Sequence, residues 1–378
     1  MKFLMNIIVV IFLTFIVSGC ADSEFPTEED SGGSETLMFY SPPFDLSKVV
    51  FIVPLGAMIG NHVTPIDHQY YAALDHMLQD QATILVDVYS PASGTVTNIQ
   101  HMTSLPGDTI QIDDYRIVVQ HTNKISSVYI HLDNLSAKIA AVAPPPGEYA
   151  SVNVAVGAGE IIGSYSGTID YNVVDEDIEL TGFVNPASYE VEPWKIHTPD
   201  PFDYFIESIK SQLIERCLRT AEPVGGKIDY DIDGSLIGSW FKENTNGYAG
   251  LDPDNYWVGH LSVVYHHVDP EHIIVSLGSY NNQPRQFGVK NNSPDPADVS
   301  VATGQVLYEL VDYDYYDGDV RWDRESLVKG LKLRNSDFVQ GVVLFQLIED
   351  RRLKVEIFPD TTAASVGTFT DNAMIYVR

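Results

Sequence analysis

Runs of alternating apolar and polar residues, separated by turn residues, constrain this chain more than any other feature. Residues 114–121 and 126–131 alternate well, and short strand-like runs at 84–89 and 95–99 flank a Ser-Pro-Ala-Ser-Gly turn. A period of two is the pattern of strands that bury one face. The 21 tyrosines, many of them inside such runs, favour the same structure. The sequence therefore predicts a mainly β protein.

One segment departs from this pattern and has helical spacing. Asp200 and Pro201 precede apolar residues that recur every three or four positions as far as Leu218, which indicates a capped helix. The short strands that follow have the turn spacing of a sandwich or barrel. A chain of 378 residues is long for one domain. We predict an antiparallel β-sheet domain at 37–199, a linking helix at 200–220 and a C-terminal β-sandwich or barrel at 221–378.

The N-terminus has the pattern of a targeting signal. Lys2 leads a short apolar run that ends in Val-Ser-Gly-Cys20, which resembles the lipobox of bacterial lipoproteins. The resemblance implies a signal peptide at 1–20, lipidation of Cys20 and an extracytoplasmic, membrane-anchored protein. Residues 21–36 are polar and acidic, as in a flexible tether. An uncleaved anchor with an incidental Cys20 is the alternative.

The charge of the chain excludes one class of partner. With 52 acidic and 22 basic residues the formal net charge is −30, so nucleic acid would be repelled. We expect the acidic charge to keep an extracytoplasmic protein soluble; a preference for cations or basic partners is the alternative. Cys217, the second of two cysteines, lies on an apolar helical face and is predicted to be a buried core residue.

The residues with the clearest chemical signature lie at 60–70, which read Gly-Asn-His62-Val-Thr-Pro65-Ile-Asp67-His68-Gln-Tyr. A second motif, Tyr-Ile-His131-Leu, ends a later strand. In this order the motifs resemble the lysostaphin/LytM-type zinc metallopeptidases, which cut peptide cross-links of bacterial cell walls. The resemblance covers about residues 50–175. It implies that His62 and Asp67 are zinc ligands and that His131 assists the attacking water.

The sequence departs from this family at two places. Four residues separate His62 and Asp67, where the family has three, so His68 is an alternative ligand. Where the family has a late His-x-His, this chain has Thr168-Ile-Asp170. Asp170 takes the place of the third ligand, and a carboxylate is an acceptable zinc ligand. A missing catalytic histidine costs about 10²–10⁴ in rate.

Two functions follow from these motifs. In the first, the chain is a cell-wall zinc endopeptidase in which His62, Asp67 and Asp170 hold the metal and His131 assists catalysis. In the second, the same fold is a non-catalytic module that binds wall peptide, glycan or a partner protein.

Two further clusters favour structural roles. His266-His267 would lie within a strand, so one ring is expected to be half-buried and the other exposed. The acidic run at 312–319 lacks the full spacing of a calcium loop and predicts a solvated turn.

Overall fold

The architecture is known from a computed structural model, which describes residues 37–104 and 111–378. The predicted signal peptide, Cys20 and the tether lie outside the described residues. The first half contains ten strands: β1 (Val49–Val53), β2 (Gln69–Ala73), β3 (Val86–Tyr89), β4 (Gly94–Ser104), β5 (Gln111–Gln120), β6 (Ile125–Leu132), β7 (Asn134–Leu135), β8 (Tyr149–Val156), β9 (Ile161–Tyr165) and β10 (Thr168–Asp175). The second half contains nine: β11 (Gly238–Lys242), β12 (His260–Tyr265), β13 (Ile273–Tyr280), β14 (Gln283–Val289), β15 (Val306–Asp317), β16 (Val320–Arg321), β17 (Lys332–Glu349), β18 (Arg352–Pro359) and β19 (Met374–Val377).

Helices are few and short. The α-helices are α1 (Ala137–Ala140) and α2 (Glu207–Arg216). The 3₁₀ turns are Leu46–Lys48, His76–Gln81, Pro186–Tyr189, Pro193–His197, Pro201–Tyr204, Gly247–Ala249, Pro253–Gly259, Lys290–Asn292, Val301–Thr303 and Ala363–Ser365. Within the described part of the chain, no helix has the length and apolar character needed to cross a membrane. The prediction of a mainly β fold is confirmed.

The first half is built on a seven-stranded antiparallel sheet in the order β1-β2-β10-β6-β5-β4-β8. A small sheet of β3, β9 and β7 covers one of its faces. Phe44 lies between the two sheets, where its ring contacts those of Tyr71, Tyr129, Tyr165 and Tyr171. All five rings are fully buried, which agrees with the alternating pattern of these strands.

The second half is a closed barrel of eight antiparallel strands. Their order is β14-β13-β12-β11-β19-β18-β17-β15, and the pairing of Gly288 with Val311 joins β14 to β15 and closes the circle. Trp240, Phe287, Tyr308 and Phe345 fill the interior. Closure removes exposed sheet edges. Of the two predicted architectures, sandwich and barrel, the structure has the barrel.

Apolar clusters join the two halves. Leu55 and Phe183 pack with Phe241 of the barrel, and Met58 packs with Val264 on the outside of β12. A further cluster joins Phe51 and Ala72 to Val268 and Leu331. Residues 38–378 form one compact unit. The domain boundaries at 199 and 221 stay predictions, although these clusters contain residues from both sides of them.

The predicted linking helix is divided. Asp200 caps the turn Pro201–Tyr204 by accepting a hydrogen bond from Phe202 N, as its sequence indicates. Ile206 is then extended, because its N–H donates to Phe39 O and the chain runs beside residue 39. The α-helix starts only at Glu207. Cys217 ends it and is buried, as predicted.

Candidate functional site

A cavity of about 460 Å³ lies between the open face of the seven-stranded sheet and the barrel segment 248–257. We call it the groove. Its floor carries side chains of β4, β5, β6 and β10, and one end carries the motif residues His62, Asp67 and His68. The opposite wall is aromatic and consists of Trp194, Tyr248, Tyr256 and Trp257. The groove thus combines a floor of polar and charged groups with an aromatic wall, and a concave site with convergent polar groups is a usual place for a ligand.

Strand register brings the floor residues together. Ile130 of β6 lies between two partners, Asp170 of β10 on one side and Arg116 of β5 on the other. Arg116 in turn lies opposite Gln100 of β4. Residues at matching positions of neighbouring strands point to the same face. The alternation that predicted these strands therefore also places Asp170, Arg116 and Gln100 in one row.

A β-bulge aims His131 at this row. The pairing of β5 with β6 shifts between Tyr115–Leu132 and Arg116–Ile130, so His131 is the extra residue. Its φ is +78°, in the left-handed region. A side chain held there costs about 1 kcal/mol or more and is common at functional sites. The imidazole Nδ1 lies 2.8 Å from Asp114 Oδ2, which fixes the ring.

Seven ionisable side chains form a continuous chain along the groove. After the Asp114–His131 contact, His131 Nε2 lies 3.7 Å from Asp170 Oδ2, and His68 Nε2 lies 3.1 Å from the same oxygen. His68 Nδ1 lies 3.5 Å from Asp67 Oδ1, and Lys195 Nζ lies 3.0 Å from that oxygen. Glu192 Oε2 ends the chain, 3.1 Å from Lys195 Nζ. Acidic and basic groups alternate throughout, so each buried charge has a partner of opposite sign or an imidazole.

These contacts shift the pKa values of the site. Burial by itself raises the pKa of Asp67, but the Lys195 ammonium and His68 bring it well below 3.8. Burial lowers the pKa of Lys195, and the Asp67 charge raises it well above its ordinary value. Burial raises the pKa of Asp170. For His131 the burial effect is outweighed by Asp114 and Asp170, which raise its pKa. Asp67 and Lys195 are therefore a fully ionised pair at neutral pH.

Asp67 is a poor fit for the zinc ion that the family resemblance implies. Lys195 contacts one carboxylate oxygen, and Trp194 Nε1 donates to the other at 2.9 Å. A metal cation placed there would meet a buried ammonium of the same sign. Among residues 37–104 and 111–378, no group of three or more His, Cys, Asp or Glu side chains is arranged to hold a metal ion.

The groove contains every residue that the family resemblance assigns to the zinc site. His62 lines it half-buried, with its ring centroid 5.9 Å from that of His68, and burial lowers its pKa to about 4. The contacts given above bring together the other four residues, Asp67, His68, Asp170 and His131. The metal roles of His62, Asp67 and Asp170 and the catalytic role of His131 stay predictions. The structure places the alternative ligand, His68, at the centre of the cluster.

Sequence reasoning missed the partners of these residues. Lys195 and Trp194 lie in the turn Pro193–His197, far from Asp67 in the sequence, and no motif marks them. Arg116 and Asn172 are unremarkable positions in strands. Only the register of β5 and β10 against β6 reveals that they face the groove.

The structure also tests the two minor clusters. The expectation for His266-His267 was wrong: both rings are buried, with their centroids 4.0 Å apart, because they follow β12 and turn beneath Tyr315. The predicted turn at 312–319 was wrong for most of its length, because β15 continues to Asp317 and only residues 318–319 turn. Asp312 pairs with Arg285, and Asp314 pairs with Arg321 and Arg324. These carboxylates serve ion pairs on the barrel surface.

Comparison with known proteins gives partial structural overlaps only. No family model and no curated protein matches the chain. Among the solved structures, a chain of the SpoIIQ-SpoIIIAH pore forming complex matches over 47% of this chain and 96% of its own length, at 14% identity and a TM-score of 0.30. Csd3 of Helicobacter pylori matches over 37% of this chain and 32% of its own, at 15% identity and a TM-score of 0.23.

A third match is the catalytic domain of a variant of the prophage-encoded M23 protein EnpA of Enterococcus faecalis. It covers 37% of this chain and 87% of that domain, at 16% identity and a TM-score of 0.23. The structural neighbours thus include an M23 protein. Overlaps of this size carry no conclusion about activity.

Proposed function

We propose that this chain is an envelope protein whose groove binds cell-wall peptide without cleaving it. One observation carries the proposal: the Lys195 ammonium lies 3.0 Å from Asp67, the carboxylate that a metallopeptidase would give to zinc. Both side chains are almost fully buried, so the ion pair is built into the fold. The cavity and its aromatic wall remain available to a ligand.

A zinc endopeptidase is the second candidate, and one observation favours it. His68 Nε2 and His131 Nε2 lie 3.1 and 3.7 Å from Asp170 Oδ2. Two imidazoles and a carboxylate are an acceptable donor set for zinc. In this alternative His68 would replace Asp67 as a ligand, and Asp67 would stay with Lys195.

A wall-binding experiment separates the two candidates. Purified peptidoglycan is incubated with the wild-type protein and sedimented, and the supernatant is assayed for released fragments. The proposal expects co-sedimentation without release. Tyr256→Ala removes part of the aromatic wall and should weaken co-sedimentation several-fold, whereas Tyr40→Ala, at an exposed site, should not. Fragment release that is lost in His131→Ala would establish the hydrolase instead.

We also propose that lipidated Cys20 anchors the mature protein outside the cytoplasm. The Val-Ser-Gly-Cys20 motif and the polar stretch after it support this location. Mass spectrometry should find a mature chain that begins at an acylated Cys20. Cys20→Ser should block this modification, and an unmodified, uncleaved wild-type N-terminus would contradict it.

A further inference from the structure

The groove floor contains an amide with no partner among the described residues. Asn172 is only 4% exposed, lines the cavity, and makes no side-chain hydrogen bond with any described residue. Its amide is nevertheless open to the groove and is not one of the fully buried, unpaired polar groups of the described residues. Asn172 is therefore positioned to bond a ligand that enters the groove.

Arg116 is the cation of the groove that remains available. Lys195 is neutralised by Asp67 and Glu192. By contrast, no described carboxylate lies within 4.0 Å of the Arg116 guanidinium, although the chain as a whole is strongly acidic. A guanidinium pairs with a carboxylate through two parallel hydrogen bonds. An anionic group of a ligand would find its partner here.

The spacing of the two groups suits an extended peptide. Asn172 lies on β10 and Arg116 on β5, with β6 between them and an offset of two residues along the strands, so their backbones are about 12 Å apart. Extended peptide advances about 3.3–3.6 Å per residue, so this distance corresponds to the last three or four residues of a chain. Val128 and Ile130 of β6 offer an apolar surface between them, and Trp257 faces it.

We propose that the groove holds the C-terminal end of an extended peptide, with its free carboxylate on Arg116. Asn172 then bonds a peptide group near the end, Gln100 lies beside Arg116 to support the carboxylate, and small apolar side chains rest on Val128 and Ile130. This inference rests on the proposed binding function and specifies which chemical group the groove selects. The nearby acids have partners of their own: Asp67 and Glu192 are paired with Lys195, and Asp170 lies between His68 and His131.

The test compares one peptide with two end groups. The full-length protein is titrated with N-acetyl-trialanine as the free acid and as the C-terminal amide, and binding is followed by the fluorescence of Trp194 and Trp257, which line the groove. The free acid is expected to bind at least about tenfold more tightly, because a charge-assisted pair is lost in the amide. Arg116→Gln should remove this preference. Arg321→Gln, which affects an exposed barrel ion pair, should leave it unchanged.

A second variant and a second ligand complete the test. Asn172→Ser should weaken the acid and the amide to the same degree, so it reports the groove even where Arg116→Gln fails to fold. Equal binding of acid and amide by the wild type, or a preference that survives in folded Arg116→Gln, would overturn the inference. Tighter binding of glucuronate than of the peptide acid would assign the site to an acidic glycan and overturn it as well. If the protein binds peptidoglycan but binds the peptide acid and amide equally, the proposed function stands and this inference falls. If the protein prefers the peptide acid but does not bind peptidoglycan, the groove selects a carboxylate and the proposed function falls.

Discussion

Lys195 Nζ lies 3.0 Å from Asp67 Oδ1, and both residues are buried beneath the aromatic wall of the groove. The Lys195 ammonium also lies 4.8 Å from the centre of the Tyr248 ring. This pair links the motif at residues 60–70 to the turn Pro193–His197, and through Tyr248 to the barrel. It gives the motif carboxylate a structural partner.

Replacing Lys195 with methionine should destabilise the protein strongly. The substitution leaves the Asp67 carboxylate buried with only Trp194 and His68 beside it. Breaking a buried pair in this way typically costs about 3–5 kcal/mol, which chemical denaturation would measure. Lys210→Met, which removes an exposed pair with Asp203, should cost no more than about 1 kcal/mol. If Lys195→Met lowered the free energy of unfolding by no more than about 1 kcal/mol, the Asp67–Lys195 pair would not be important for the stability of the fold.

The bulge at His131 predicts an unusual order of stabilities. Because residue 131 has φ +78°, alanine there pays for a left-handed backbone that glycine adopts freely. His131→Gly should therefore be more stable than His131→Ala by about 1 kcal/mol. At Ser126, a regular position of the same strand, the order should be reversed, because glycine weakens a strand. Equal stability of the two variants at 131 would contradict the strained bulge.

Asp200 should make the protein less stable as the pH rises. Burial raises its pKa to about 6, from 3.8, against the effect of hydrogen bonds from Phe202 and Gly225. A raised pKa means that the folded state holds the proton more tightly, so the stabilisation is complete below pH 3.8 and is lost as the pH passes 6. The difference corresponds to about 3 kcal/mol at 1.36 kcal/mol per unit.

Asp200→Asn removes this dependence. Relative to the wild type, the variant should gain about 3 kcal/mol between pH 3 and pH 8 in denaturation experiments. Asp319→Asn, at a carboxylate that is almost fully exposed on the barrel, provides the control and should show little change. A wild-type-like pH profile for Asp200→Asn would contradict the assigned burial effect.

The strands were the easiest part of this structure to predict, because alternation is a local property of residues such as those of β5 and β6. The helix at 200–220 was harder: its cap at Asp200 is local, but the break at Ile206 arises from a contact with Phe39, far away in the sequence. For the same reason the burial of His266 and His267 escaped prediction, since Tyr315 and the connection after β12 cover them.

The site was predictable only in its motif residues. His62, Asp67, His68 and His131 are recognisable by type and order, and Asp170 by its position after Gly167. The groups that decide the chemistry of these residues cannot be recognised in the same way. Lys195 reaches Asp67 only because the turn Pro193–His197 folds back onto the sheet, and the barrel supplies Tyr248, Tyr256 and Trp257. Contacts between distant segments leave no periodic trace in a sequence.

The metal content of the protein tests the central claim most directly. Wild-type protein is incubated with zinc, freed of excess ion by dialysis, and measured by elemental mass spectrometry, with His68→Ala as the matched variant. Because Lys195 and Trp194 hold both oxygens of Asp67, we predict that the wild type retains no stoichiometric zinc and does not differ from the variant. One zinc ion per chain in the wild type, lost in His68→Ala, would contradict the account and establish a metal centre in the groove.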